Sequence, residues 1–575
     1  MALFFNGRAY VTPTTVARVD DSAMYNPNPI VGNKLLVVGA SEGGKPKELL
    51  RFRNAAEAQA MLVSGDGLDA IIAAFDPSSE TGRPSEVDFI RVNPATQSSL
   101  TLKTSGGTDA ILLQSTSYGK RQNQIKVKIE AGTRGVGSKI STQIGADVYS
   151  GDNIRSVPFK VIYQGAEVSA TFSIGYTFCT LNAPAGTQLV QIPLIEFPTV
   201  QQLVDRINAV PGFVATVLNN LGGKPTLNAI DYYINWNVKD TNLNVSASLQ
   251  AQIDWFNSNL EGLVSASKIG SAAGSRAANM DFTYLSGGSD GTTTNTDWSD
   301  AFTVAQTADV QWVVPASNNP AIHAMADAHC AYMSDVVQRH RRAFCGTPLG
   351  TSDDAAITLA EALNSDRTSL IHIGVYGYDR LGRLLLKEPF VAAAMVAGGF
   401  AGISPGSTMT NKSIKARGVE RKLRNPTDTD KLIEGGILCI EDTQDGGFRV
   451  TKAITTWLKD TNFNRVEVSV GYANDFTARS LRDSIDELRG KKGGPLLITE
   501  ALSRAETVLK ELARPEPVGP GVLVGDAANP PYRNLDAQFQ GDVIALQVQT
   551  SPVIPNNYGA ITVFSVPFSS TASTA

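Results

Sequence analysis

The sequence predicts an α+β multidomain protein: an α/β core with a mixed sheet, an inserted β-rich domain or pair of domains, and an α+β C-terminal domain, with extended strand arms at both chain ends. Three observations predict it. Strands and helices alternate early in the chain and again over about 305–400, as βαβ units do. Between about 96 and 285 this gives way to short strands of alternating polarity, the pattern of antiparallel sheets with one wet face. At 575 residues the chain also exceeds what a single hydrophobic core usually serves.

Residues 1–30 read as an N-terminal arm. Phe5, Ala9, Val11 and Val16 are separated by Gly7 and Pro13, and the Asn-Pro-Asn-Pro run ending at Pro29 stops regular structure. The core, 31–95 plus 286–435, opens on an apolar strand at 34–38. A helix from Asn54 to about Ala60, a turn at Asp66-Gly67 and an alternating strand at 86–92 follow. The insert, 96–285, carries strands at 124–130 and 159–163 and a short amphipathic helix at 199–208.

The core resumes with a strand at 310–314 and a helix entered at Pro320, where a first turn tolerates proline. That helix is expected to carry Ile322, Met325, Tyr332, Met333 and Val336 on one face. Arg339, Arg341 and Arg342 are placed in its last turn, where cations suit the macrodipole. A strand around Phe344, a helix at 354–363, a strand at 370–375 and a buried helix at 390–403 complete it. The C-terminal domain, 436–575, reads as a hairpin, helices at about 476–489 and 498–513, and strands at 542–549 and 560–566.

Composition excludes several classes. Lys and Arg number 50 against 55 Asp and Glu, a net charge of -5 with the signs interspersed. That leaves no concentrated basic surface for direct nucleic-acid binding. Cys179, Cys330, Cys345 and Cys439 lie far apart and read as buried reduced thiols. The N-terminus lacks the pattern of a signal peptide, and the longest apolar run, 390–403, is too short to span a bilayer, so no membrane insertion is expected.

Motifs that suggest chemistry fail on their context. Gly39 to Lys45 spells GxxxxGK, but Pro46 replaces the hydroxyl that would hold Mg²⁺. Ser41, Ser289 and Ser404 each sit in a GxSxG frame without the strand-to-helix elbow it requires. His323 and His329 turn to different helix faces, His329 and His340 are three turns apart, and His372 alternates with apolar neighbours. No catalytic, cofactor-binding or metal-binding residue is predicted. An α/β serine hydrolase using one of these serines and histidines is one alternative.

Several stretches resemble the tail sheath proteins of contractile-tailed bacteriophages and related injection machines. They are 35–46, 117–130, 285–291, 389–402, 432–440, 448–450 and 457–470, in the family's order along nearly the whole chain. The resemblance implies a structural subunit, not an enzyme, that stacks as hexameric rings around a tail tube and contracts without nucleotide; another tail or baseplate component is the second alternative. It implies the chain itself, the tube protein, the baseplate and neck or terminator proteins as partners. It further implies a place in the virion tail after synthesis in the host cytoplasm, an outer position for the insert, and a polymerising role for the C-terminal domain. Two sets of residues are candidates for assembly. Phe5, Ala9, Val11, Val16, Ile561, Val563 and Val566 lie on extended ends with no evident local partner, as expected of strands added to a neighbour's sheet. Lys510 and Arg514 lie opposite apolar helical stripes with Lys491 and Lys492 nearby, and these four are the candidates to face the tube.

Overall fold

The computed structural model describes residues 3–5, 8–10, 33–227, 229–269, 275–379, 382–443 and 446–565. The chain forms two compact units: the first comprises 1–41, 47–92 and 295–575, the second 42–46 and 93–294.

The first unit is built on a six-stranded sheet. Its order is Thr368–Ile371, Arg342–Gly346, Trp312–Ala316, Lys34–Gly39, Glu86–Arg91 and Leu49–Phe52. The first five are mutually parallel and the last is antiparallel, so the sheet is mixed. Strand alternation feeds both faces. Leu35, Val37, Val87, Phe89, Trp312 and Phe344 enter one core, while Leu36, Val38, Ile90, Val313, Ala343 and Cys345 enter the other. Burial on both sides explains why these strands read as near-continuous apolar runs.

The Pro389–Ala401 helix packs into the first of these cores, and every one of its residues is buried. It lies against the Asp66–Phe75 helix through Gly398, where any Cβ would run into the carbonyl oxygen of Ala74. Small residues are thus required for this close approach.

The expected break at 435/436 does not divide the packing. Leu438, Ile440, Val450, Ala453, Val468 and Tyr472 share the core that contains Trp312, and Ile437 bridges in parallel to Leu370 at the sheet edge. The Tyr472 ring lies 4.5 Å from that of Trp312. The Val468–Asp486 helix therefore begins inside the α/β core and ends against the Pro495–Leu512 helix, beyond which Tyr532–Gln540 and Val543–Thr550 pair as an antiparallel hairpin.

The Pro320–Asp335 helix is shorter than expected, and the arginines do not cap it. Gln338 adopts a left-handed conformation and the Arg339 N–H donates to the Met333 carbonyl, turning the chain back. Arg341 is then buried, donating to the carbonyls of Ala305 and Ala308, and Arg342 lies in a core strand. Tyr332 and Val336, placed on the apolar face, are exposed.

The second unit holds two apolar cores. One gathers residues from 102–140 and 249–285, including Leu113, Val127, Ile140 and Phe256; the other gathers 159–245, including Phe159, Phe172, Leu181 and Phe213. The second core is thus nested in sequence within the first. All strand pairs within its sheets are antiparallel. The Val200–Asn208 helix carries a capping box between Thr199 and Gln202.

Candidate functional site

The residues that suggest catalysis occupy structural roles. Ser41 is buried, as are Gly43 and Gly44, so these glycines offer no open cradle for a phosphate. The Ser289 hydroxyl oxygen accepts from the Gly291 N–H, and the Ser404 hydroxyl bonds with Ser407 and Glu516. His323 Nε2 faces the Ser317 carbonyl at 3.0 Å. His329 lies 2.8 Å from the Arg341 guanidinium; burial, assisted by that charge, pushes it down to about 3, so it is a neutral acceptor. His372 Nε2 meets Asp353 at 3.1 Å. All four cysteines are buried free thiols. Among the described residues no group of three or more His, Cys, Asp or Glu could hold a metal ion, and no helix is long and apolar enough to cross a membrane.

Residues suited to assembly lie in the first unit. Pro495 opens the Pro495–Leu512 helix, whose buried stripe is Leu497, Ala501, Ala505, Val508, Leu509 and Leu512. Three of the four predicted tube-facing cations are matched nearby. Lys491 pairs with Glu500 at 2.7 Å, Lys510 with Glu506 at 2.8 Å and Arg514 with Glu511 at 2.9 Å. The Lys510 ammonium is held above its usual range by that hydrogen bond. Lys492 is exposed and makes no ion pair among the described residues. Sequence reasoning missed Arg504, which joins Glu487 and Glu500; the Glu500–Arg504 spacing was the available signal. Of the two pairs that four-residue spacing predicts on the preceding helix, Arg479–Asp483 and Arg482–Asp486, the first is present at 3.9 Å. Arg482 instead turns to Asp483 and to the Gln338 carbonyl.

The chain ends differ from each other. Leu3–Phe5 pairs antiparallel with Arg8–Tyr10, with Phe4 opposite Ala9 and Phe5 opposite Arg8. The N-terminal strand therefore has a local partner, contrary to expectation; the intervening Asn6-Gly7 is a dipeptide favoured in two-residue hairpins. Val11, Val16 and Val566 lie outside the described residues. At the other end, the strand expected over 560–566 is absent from the described part, 560–565, which pairs with no strand among the described residues. Ile561, Val563 and Phe564 are 88, 79 and 85% exposed. Apolar side chains this open at a chain end are candidates for burial against another molecule.

The phage tail sheath protein central domain matches residues 291–456. The tail sheath protein of Bacillus phage SP01 is 28% identical over 96% of this chain and 95% of its own. Over nearly its whole length the chain is similar to a tail sheath protein of a phage. A putative tail sheath protein of Enterococcus phage phiEF24C is also 28% identical, over 82% of this chain and 84% of its own. Among solved structures, the sheath tail protein of Desulfitobacterium hafniense matches with a TM-score of 0.55 at 14% identity. The match covers 94% of this chain and 97% of that one, a likeness of fold. The resemblance drawn from the sequence is borne out, as is its reading as a phage structural protein.

Proposed function

We propose that the chain is the structural, non-enzymatic subunit of a contractile phage tail sheath. It polymerises as stacked hexameric rings around the tail tube and contracts to drive that tube through the host envelope for genome delivery. The observation that carries this reading is a sheath-protein likeness running almost end to end, 96% of this chain against 95% of its relative. The buried settings of Ser41, His323, His329 and His372 leave the subunit's work to its surfaces. Its partners are other copies of the chain, the tube, the baseplate and the neck or terminator proteins, in the virion tail after synthesis in the host cytoplasm. It contacts no nucleic acid directly and inserts in no membrane. We assign the insert, 96–285, to the outside of the polymer. Negative-stain imaging of purified full-length protein at high concentration should show long regular tubes. Discrete particles at every salt concentration would overturn the assignment.

We further assign Lys491, Lys492, Lys510 and Arg514 to the face that meets the tube. Because Lys491, Lys510 and Arg514 are exposed and already paired in the subunit, each adds only a weak, solvent-screened attraction to any contact, one that can be released on contraction. Reversing all four charges should leave the thermal melt nearly unchanged and weaken co-assembly with tube at low salt more than at high salt. Co-assembly indifferent to the reversal at both salts would refute the assignment.

A further inference from the structure

Among the described residues, the last ties of the C-terminal segment to its own unit are at Asn557 and Tyr558. The Val524 N–H donates to the Ser551 carbonyl and the Val553 N–H to the Val522 carbonyl, both at 2.9 Å, and Leu523 bridges to Pro552. Beyond them, the Asn557 amide donates to Glu467 Oε1 at 2.8 Å, and Lys452 Nζ donates to the Tyr558 hydroxyl at 3.2 Å while lying 5.5 Å from the ring centroid. Residues 559–565 are all exposed.

The two core groups that hold this last contact are themselves unusual. Lys452 and Glu467 approach to 3.6 Å, the lysine side chain 19% exposed and the glutamate side chain 1%. Glu467 is the N-cap of the Val468–Asp486 helix, where a carboxylate is favoured, but its side chain does not cap the helix backbone. Its Oε2 and the Asn557 Oδ1 are buried without a hydrogen-bond partner. Burying a charge pair costs more than an apolar pair of the same size, so such a pair is poorly explained by stability alone. What it does accomplish is geometric, because a carboxylate and an ammonium together fix one amide and one phenol at the point where the chain leaves the surface.

We propose that Lys452 and Glu467 are positioning residues for the C-terminal arm. They clamp Asn557 and Tyr558 so that the segment from Gly559 departs from a fixed point, in a fixed direction, toward a second copy of the chain. The segment 559–565 carries no charge and presents Ile561, Val563 and Phe564, which suits burial on another subunit. Each residue past the clamp adds at most about 3.5 Å of reach, so moving the clamp moves the acceptor that can be met. This inference rests on the sheath reading and adds to it the residues that aim the link.

The experiment uses full-length chain carrying Asn557→Ala with Tyr558→Ala, set beside Tyr558→Phe. Both positions are on the arm and Tyr558 is exposed, so the fold should persist, checked by an unchanged melt. The double variant should lose hydrogen-exchange protection at the last docked residues and raise the critical concentration for tube formation about tenfold, two contacts of ordinary strength being lost. Tyr558→Phe keeps the ring against Lys452 and should stay within about twofold of the parent. A double variant that assembles at the parent's concentration overturns the clamp. A chain truncated after Tyr558 separates the two ideas. If it cannot assemble while the double variant assembles normally, only the clamp fails. If it assembles normally, the link itself fails.

Discussion

Asp475→Ala should destabilise the first unit by about 3–5 kcal/mol, the usual penalty for removing one partner of a buried ion pair. Asp475 Oδ2 accepts from Arg342 Nε at 3.1 Å and from Arg367 at 2.6 Å, and the Arg342 and Arg367 side chains are only 4 and 15% exposed. Alanine would remove the ion-pair partner of two guanidinium groups, and of the hydrogen bonds of Arg342 the one to the Asp366 carbonyl would remain. The loss should appear as a lower denaturation midpoint with unchanged slope. The Arg479–Asp309 pair is the control, because Asp309 is 48% exposed and solvent screens it; Asp309→Ala should cost about 1 kcal/mol or less. Burial alone would raise the Asp475 carboxyl, but Arg342 and Arg367 outweigh it and hold the group below its ordinary range. Burial also lowers the Arg342 guanidinium, from so high a start that it stays charged. With a folded pKa below the unfolded one, the Asp475 contribution is complete above about pH 4. It is lost as pH falls through the lower folded value. Acid unfolding of the parent should therefore extend to lower pH than that of a chain lacking the pair.

Elements with strong periodicity could be read directly. The strands at 34–39 and 86–91 alternate between two cores, and the 389–401 helix is apolar on every side because every side is covered. Misreadings came where a polar residue was buried or an apolar one left open. Arg341 and Arg342 look like a cationic helix end, yet specific carbonyls and Asp475 draw them inside. The Tyr532–Gln540 strand escaped notice because, in a hairpin, it turns only Ala537 fully inward and shows no continuous apolar face. The Ser248–Asn259 helix was missed although Leu249, Ile253 and Phe256 fall on one stripe. Its position inside a run of strands concealed it. For the candidate site, sequence proposes Lys491, Lys510 and Arg514 but does not show their pairing, because which glutamate each reaches is decided by side-chain packing.

Truncation after Tyr558 should give a folded subunit that does not form tubes. The cut removes none of the internal ties of the C-terminal segment: the Ser551 and Val553 backbone bonds, the Asn557–Glu467 bond and the Lys452–Tyr558 contact all remain. It removes Ile561, Val563 and Phe564, which are open in the isolated chain and gain by burial only against another molecule. Transferring three such side chains out of water, at about 1.5–3 kcal/mol each, is worth several kcal/mol per link before the entropy of ordering the segment is charged against it. Repeated at every subunit, a loss of that size separates a polymer from a monomer at ordinary concentrations. The N-terminal end is a weaker place to make the same cut, because Leu3–Phe5 already satisfies its backbone against Arg8–Tyr10. The measurement pairs a thermal melt with sedimentation and negative stain: the melt should match the parent, and the sedimenting fraction should vanish. If the truncated chain sediments as tubes, the exposed segment is not a link between subunits, and the cohesion of the polymer must come from the rigid faces of the first unit.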